Sequence, residues 1–462
     1  MVRTASCSGQ HHYAPRRGAG RGVTNLNPAA ATKEKGAPQS HVSHNTGLPT
    51  LWQAVSYAEI HVGVAKMSHV LSKKTEPMPP DSAATPVDDA ALDAASPQPR
   101  SSFIVSAVAV AVIGAAVRIG VLRLLSAVND RELWGQLLAW DAKYYLEIAR
   151  VGYFEADISA DGPVYEKTMA FFPGFPMLLR AVGWTGINLG LAALILNTVL
   201  TAVMAAGVMV LARRLGAGRT GQIAAAVVVT SAPMSIVFSM PYTEALFGAL
   251  VVWGLVALDQ RAWWWAGAAG FALSLTRLTA LDFLAVFGLW VLLYGRREWQ
   301  AWLSFGVAAL PLPGYLLWAQ RYLADVGGYF GIQTKHWNST FDGGAATLTF
   351  VWDTLTKNND VGYLLTVVVI LGAVVLLVAS WGKANPVAWW FSAALTANVL
   401  LSDGILHSRP RLLLPAALLF VPWVIRAVKE LPARVAWSGI AVWVLWSAWF
   451  SAYMIVVFEW AI

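Results

Sequence analysis

Phe103-Ile104-Val105-Ser106-Ala107-Val108-Ala109-Val110-Ala111-Val112-Ile113-Gly114-Ala115-Ala116-Val117 lies within a stretch that stays predominantly apolar to Val128, and its length decides the fold. A hydrocarbon core about 30 Å thick takes roughly 20 apolar residues as helix, because backbone in lipid must satisfy its own hydrogen bonds. Apolar runs recur to the end of the chain, near 102–128, 187–212, 222–240, 244–259, 262–276, 279–294, 300–323, 361–381, 386–402, 412–428 and 435–460. They predict an all-α polytopic membrane protein with about nine to eleven transmembrane helices, the shorter runs being re-entrant or merged. Of the 462 residues 57% are hydrophobic and 13% charged, too apolar a balance for a soluble globule. Trp263-Trp264-Trp265 and Trp389-Trp390 stand at the ends of apolar runs, where indole favours the membrane interface.

Residues 1–100 are rich in Ala, Pro, Ser, Gly and His without apolar periodicity, and read as a disordered cytoplasmic tail. His11, His12, His41 and His44 are scattered through this low-complexity segment, so no metal tract is expected there. An internal start at Met67 is the alternative reading of the tail. No apolar signal segment follows Met1, and Cys7, the single cysteine, can form no intramolecular disulfide. The net charge of +7 fits basic cytoplasmic loops and gives no reason to expect nucleic acid.

Those basic residues orient the chain. With Arg100 on the cytoplasmic side, alternating helices place Arg213, Arg214, Arg219, Arg261, Arg296, Arg297, Lys383, Arg426, Lys429 and Arg434 there too, as the positive-inside rule requires. The same alternation puts a first loop of 129–186, the Pro241-Tyr242-Thr243-Glu244 segment, Thr276-Arg277, the 324–360 loop and the stretch from Ser402 to Arg411 on the outer face. Arg277, Arg409 and Arg411 run against the bias on that side and call for anionic partners.

The first loop carries Trp140-Asp141-Ala142-Lys143-Tyr144-Tyr145-Leu146-Glu147-Ile148-Ala149-Arg150-Val151-Gly152-Tyr153. Asp141, Tyr145 and Ile148 share one helical face and Lys143, Glu147 and Arg150 another, as in an amphipathic helix at a membrane surface. Asp141 is then either a general base beside aromatic rings, which would raise its proton affinity, or simply the N-cap of the helix. Downstream, Phe171-Phe172-Pro173-Gly174-Phe175-Pro176 reads as a reversal loop, either anchoring in the interface or shaping a lipid groove. Glu244 suits a helix N-terminus, with substrate contact as the second reading. Arg277, Arg409 and Arg411 are candidate phosphate ligands through their guanidinium forks, with His407 beside the latter two. Gln333, His336 and Trp337 offer polar contacts and an aromatic platform suited to a sugar. Neither His336 nor His407 has a His or Cys neighbour at zinc spacing. No phosphate-binding glycine loop, nucleophile elbow or dinucleotide fingerprint occurs.

In this order, Trp140-Asp141 leading to Gly152-Tyr153, Ala170-Phe171-Phe172-Pro173, Tyr242-Thr243-Glu244-Ala245-Leu246-Phe247 and Thr276-Arg277 resemble the successive motifs of the PIG-V-type membrane mannosyltransferases. The resemblance extends over about residues 100–462. It implies a GT-C glycosyltransferase fold with an extracytoplasmic active site, a polyprenyl-phosphate-mannose donor and a catalytic aspartate at Asp141. The Ser408 to Arg411 segment resembles bacterial members, which implies the cell membrane of a bacterium. The expected function is mannosyl transfer to a lipid-, glycan- or protein-linked acceptor. Arg409 and Arg411, then Arg277, are expected to hold the donor phosphate, while Tyr145, Glu244, Gln333, His336 and His407 contact substrate. No cofactor is required by this scheme, although Glu155, Asp157 and Asp161 offer a divalent cation a landing place. The rival is a lipid-linked sugar flippase, which would show repeats and midplane polar sites rather than polar residues gathered at one face.

Overall fold

The computed structural model describes residues 100–158, 162–357, 360–458 and 460. The expectations for residues 1–99, and for Asp161, lie outside the described residues. The longer helices, in order, are α1 (Arg100–Val128), α2 (Asp141–Val151), α3 (Gly174–Gly183), α4 (Leu189–Arg214), α5 (Arg219–Thr230), α6 (Glu244–Asp259), α7 (Trp263–Ser274) and α8 (Ala280–Trp290). They continue as α9 (Trp299–Ala309), α10 (Pro311–Leu323), α11 (Gly328–Trp337), α12 (Ala345–Lys357), α13 (Val361–Ala379), α14 (Pro386–Leu401), α15 (Val421–Glu430) and α16 (Ala433–Val456). No β-strand occurs among the described residues, and the protein is an all-α polytopic membrane protein.

Five segments are long and apolar enough to cross a membrane: Ser101–Val128, Leu189–Arg214, Trp299–Val326, Val361–Ala379 and Ala433–Val456. A sixth is added if Leu406–Leu412 and Leu414–Glu430, bent by 54°, count as one span. Others of the predicted runs form shorter apolar helices or are interrupted along the backbone, which hydropathy does not see. The run near 222–240 stops helically at Thr230 and resumes only as a 3₁₀ turn, Ser235–Ser239, entered through Met234 at φ 69°. The run near 412–428 opens at the 54° bend beside Leu413 and is 3₁₀ over Leu414–Phe420 before turning α-helical at Val421, with Pro415 and Pro422 in the first turns of these two segments. The runs at 244–259, 262–276, 279–294 and 386–402 form helices of 16, 12, 11 and 16 residues.

Helix α1 packs on α4, α5 and α16; α4 packs on α6; and α7 lies against both α6 and α9. The α7–α9 approach depends on small residues, since a Cβ on Gly270 would come within 2.8 Å of the Ala308 methyl. Polar contacts tie together the ends of helices that the charge bias assigns to one side. Arg214 Nε donates to Asp259 Oδ2 at 2.6 Å, Trp263 Nε1 to Glu298 Oε2 at 2.6 Å, and the Arg261 guanidinium lies 4.9 Å from the Tyr294 ring centre. The other ends converge on Asp141, Glu244, Arg277 and Arg411.

An aromatic cluster buries Tyr145, Ile148, Phe171, Phe172 and Phe175 with Tyr315 and Tyr329. The Phe171 to Pro176 segment therefore packs inward rather than anchoring in the interface. Pro173 precedes α3, and the Gly174 N–H donates to the Leu275 carbonyl at 2.7 Å. A Cβ on Gly174 would sit 2.8 Å from that oxygen, so only glycine lets the motif press against the strand of chain that carries Arg277.

Candidate active site

Asp141 is the first residue of α2, and the helix is entered through Trp140 at φ 59°, a left-handed conformation costly for a bulky side chain. The N-cap reading fails here: no side chain caps the helix, and the Asp141 carboxylate turns to Arg411, whose Nη1 donates to Oδ2 at 2.6 Å. The backbone N–H of Asp141 donates to the Tyr242 hydroxyl at 3.2 Å. The Tyr242 ring in turn lies 5.2 Å from the Arg411 guanidinium. The sequence reading surrounds Asp141 with aromatic rings; the structure adds a cation in direct contact.

Glu244 occupies the first turn of α6, following Thr243, and is buried at 4% exposure. Its Oε1 accepts from Arg277 Nη1 at 3.1 Å and lies 3.5 Å from Arg411 Nε. Asp141, Arg411, Glu244 and Arg277 thus form one chain of alternating charge. A carboxylate this buried is affordable only because two guanidiniums meet it. Arg277 also stacks over Phe247 at 5.4 Å.

Asp141, Arg411 and Arg277 line a cavity of about 440 Å³. Its walls include Tyr145, Thr276, Thr279, Gln333, Trp337, Asn398 and Ser402, with Phe171 and Phe172 on the apolar side. Burial, reinforced by the Glu244 and Asp141 carboxylates, pushes the Tyr145 phenol upward, so it stays a neutral hydroxyl. Its oxygen lies 3.5 Å from Thr243 Oγ1.

Of the residues expected from the sequence, Asp141, Tyr145, Arg277, Gln333 and Arg411 converge on this cavity. Glu244 stands behind it, holding the two arginines. Arg409 is brought elsewhere: it is 2% exposed and donates to Thr347 Oγ1 and the Ser402 carbonyl, so it braces α12 against the end of α14 instead of facing the cavity. His336 turns from the cavity toward Glu166, its Nε2 3.5 Å from Oε2, beside Lys335 Nζ at 2.6 Å. The Lys335 bond holds the Glu166 carboxyl below the usual carboxylate range. His407 packs against Tyr363 and Phe458 and borders a separate depression with Asp353. Among the described residues no three His, Cys, Asp or Glu side chains gather where a metal ion could be held.

The sequence reading missed Asn398, which lines the cavity, and Asp282, which binds it from behind. The available signal was an acid within the apolar Ala280–Phe287 run, since an ionisable residue inside a span seldom lacks a role.

Fold and site define a membrane-embedded protein whose paired carboxylate and guanidiniums face a chamber at one end of the helices. The family described as Mannosyltransferase (PIG-V) matches residues 116–290, from within α1 to the end of α8. The chain is similar to that family over this segment, and the match supports a glycosyltransferase held in the membrane. Asp141, Tyr145, Glu244 and Arg277 fall within the matched segment, and Gln333, Asn398, Arg409 and Arg411 beyond it. None of the curated proteins matches the chain.

Proposed function

We propose that the chain transfers mannose, with inversion, from a polyprenyl phosphate to an acceptor hydroxyl at the extracytoplasmic face of a bacterial cell membrane. The observation that carries this reading is the pairing of Asp141 with Arg411 at 2.6 Å on the wall of one cavity that Arg277 also lines. A base and a phosphate ligand are what such a transfer needs, and nothing nucleotide-like is required of the chain. The acceptor oxygen forms its bond to the anomeric carbon as its proton passes to Asp141. The bond from that carbon to the phosphate oxygen breaks, and its electron pair leaves with the phosphate, whose growing charge Arg411 and Arg277 meet. Before donor binds, Arg411 is occupied by Asp141. An arriving phosphate competes for the same guanidinium, so donor binding frees the carboxylate to take the proton. Tyr145, Gln333 and Trp337 contact sugar, and the acceptor is a lipid, glycan or protein hydroxyl. The scheme requires no metal ion.

The test is transfer of radiolabelled mannose from polyprenyl-phosphate-mannose by membranes containing the chain, beside Asp141→Asn and a nucleotide-sugar control. Transfer that Asp141→Asn lowers about 100- to 10,000-fold, with folded protein at native level, is the expected result. Equal turnover by Asp141→Asn removes the assigned base. Labelled lipid that crosses the bilayer without forming a product overturns the transferase reading in favour of a transporter.

A further inference from the structure

Asp282 projects from α8 and is buried, 6% exposed, in an otherwise apolar run. Asn398 projects from α14 and lines the cavity, and its Nδ2 lies 3.1 and 3.2 Å from the two Asp282 oxygens. A carboxylate offers lone pairs only, so it fixes which way the amide faces: the Nδ2 side is drawn to Asp282 and Oδ1 is turned away. Among the described residues no N–H or O–H donates to that oxygen. Ser402 Oγ, which lines the same wall, is engaged with the Asn398 main-chain carbonyl at 2.7 Å.

We propose that Asn398 is a specificity-determining residue that accepts a hydrogen bond from one hydroxyl of the donor sugar, and that Asp282 is the positioning residue that locks its amide for this. The inference rests on the mannosyl-transfer reading and deepens it. An orphan acceptor in a cavity wall welcomes a hydroxyl and repels a phosphate, whereas Arg277 and Arg411 do the reverse. The cavity is therefore divided, with its cationic wall for the phosphate and the Asn398 wall for the sugar ring. A free Asn would serve donors and acceptors alike by rotating its amide. With Asp282 holding it, the site rejects a ring that presents no hydroxyl there, because the amide oxygen is then left unpaired.

The test uses the full-length chain in membranes and five donors: polyprenyl-phosphate-mannose and its 2-, 3-, 4- and 6-deoxy forms. The native chain is expected to lose about 10-fold or more in kcat/KM on one of the deoxy donors. Asn398→Ala is expected to lose a similar factor on the parent donor, yet to show almost no further loss on that one deoxy donor. Asp282→Asn, which leaves the amide free to turn, is expected to weaken the same discrimination while sparing the other three positions. It also serves where Asn398→Ala accumulates poorly. Asn398→Ala remaining as sensitive as the native chain to all four deoxygenations overturns the inference and leaves the transferase reading standing. A native chain that moves no mannose from the parent donor overturns both.

Discussion

Arg409 and Arg411 differ by two positions and share a chemistry, but on a helical turn two residues place side chains about 200° apart. Arg411 therefore faces Asp141 while Arg409 is sealed against Thr347 and Ser402. Their substitutions should separate cleanly. Arg411→Lys keeps a charge but replaces a fork that spans Asp141 and Glu244 by a single ammonium, and kcat/KM is expected to fall about 100-fold with little change in stability. Arg409→Gln is expected to do the opposite. It removes charged hydrogen bonds worth about 1.5–3 kcal/mol each, so the thermal midpoint in detergent drops while turnover per folded molecule holds. Equal loss of turnover in both would return Arg409 to the site. The sequence reading paired these arginines because it sees spacing and charge but not the direction of a short helix. Arg277 was legible because it is a charge between two apolar runs, where lipid leaves it little choice but an inward partner, whereas Asp141 showed itself at the head of an amphipathic helix and Gln333 beside the Trp337 platform.

At the scale of elements, the broken span between α5 and α6 delivers Tyr242 and Glu244 to the site, and buried side chains hold the break open. Arg118, fully within α1, donates through Nη1 to the Thr230 carbonyl at 3.1 Å and through Nε to Ser239 Oγ at 3.2 Å, bridging the two sides of the gap. Asn197 of α4 donates to the Tyr242 carbonyl at 3.0 Å from the other side. Hydropathy reads 222–240 as continuous because Pro233 is its only overt interruption, and Arg118 passes as one charge in a long apolar stretch. Arg118→Met is expected to lower the thermal midpoint and slow turnover of the remaining folded protein about 10-fold, as Tyr242 and Glu244 drift from Asp141 and Arg411. An unchanged midpoint would show that the gap stands without the bridge. The cavity wall that α11 supplies is held by charge instead. Glu166 grips Lys335 and His336 at the end of α11, which supplies Gln333 and Trp337 to the cavity. Because the native Glu166 proton affinity is lowered, its contribution is complete above the ordinary glutamate value of about 4.3 and is lost as pH falls through the lower native value. Amide exchange in α11, corrected for intrinsic rates, should therefore be slow near neutrality in the native chain and fast in Glu166→Gln. The two should converge as the native chain is acidified. Equal protection at neutral pH would mean that α11 is held by its aromatic packing alone.

For the whole molecule, charge asymmetry and structure converge. Residues that the positive-inside bias assigns to one side are cross-linked at one end through Arg214–Asp259, Trp263–Glu298 and Arg261–Tyr294. The acid–arginine chain gathers at the other. Helix class and two-ended organisation were legible because lipid constrains composition so tightly. The places where the backbone breaks inside the apolar runs were not, since 3₁₀ turns and a 54° bend leave no mark on hydropathy. Which end faces outward follows from charge alone and can be tested directly. Cys7 is the single native cysteine, so Cys7→Ser supplies a background free of thiols. Thr334→Cys, exposed on α11, should react with an impermeant maleimide added to intact cells. Arg297→Cys, exposed beside Glu298, should react only once the membrane is opened. The reverse pattern would place the cavity in the cytoplasm, where soluble nucleotide sugars are at hand, and the case for a lipid-borne donor would lose its geometric basis. The expected pattern ties donor and site together, because a sugar used on the outer face has to arrive on a lipid that has already carried it across.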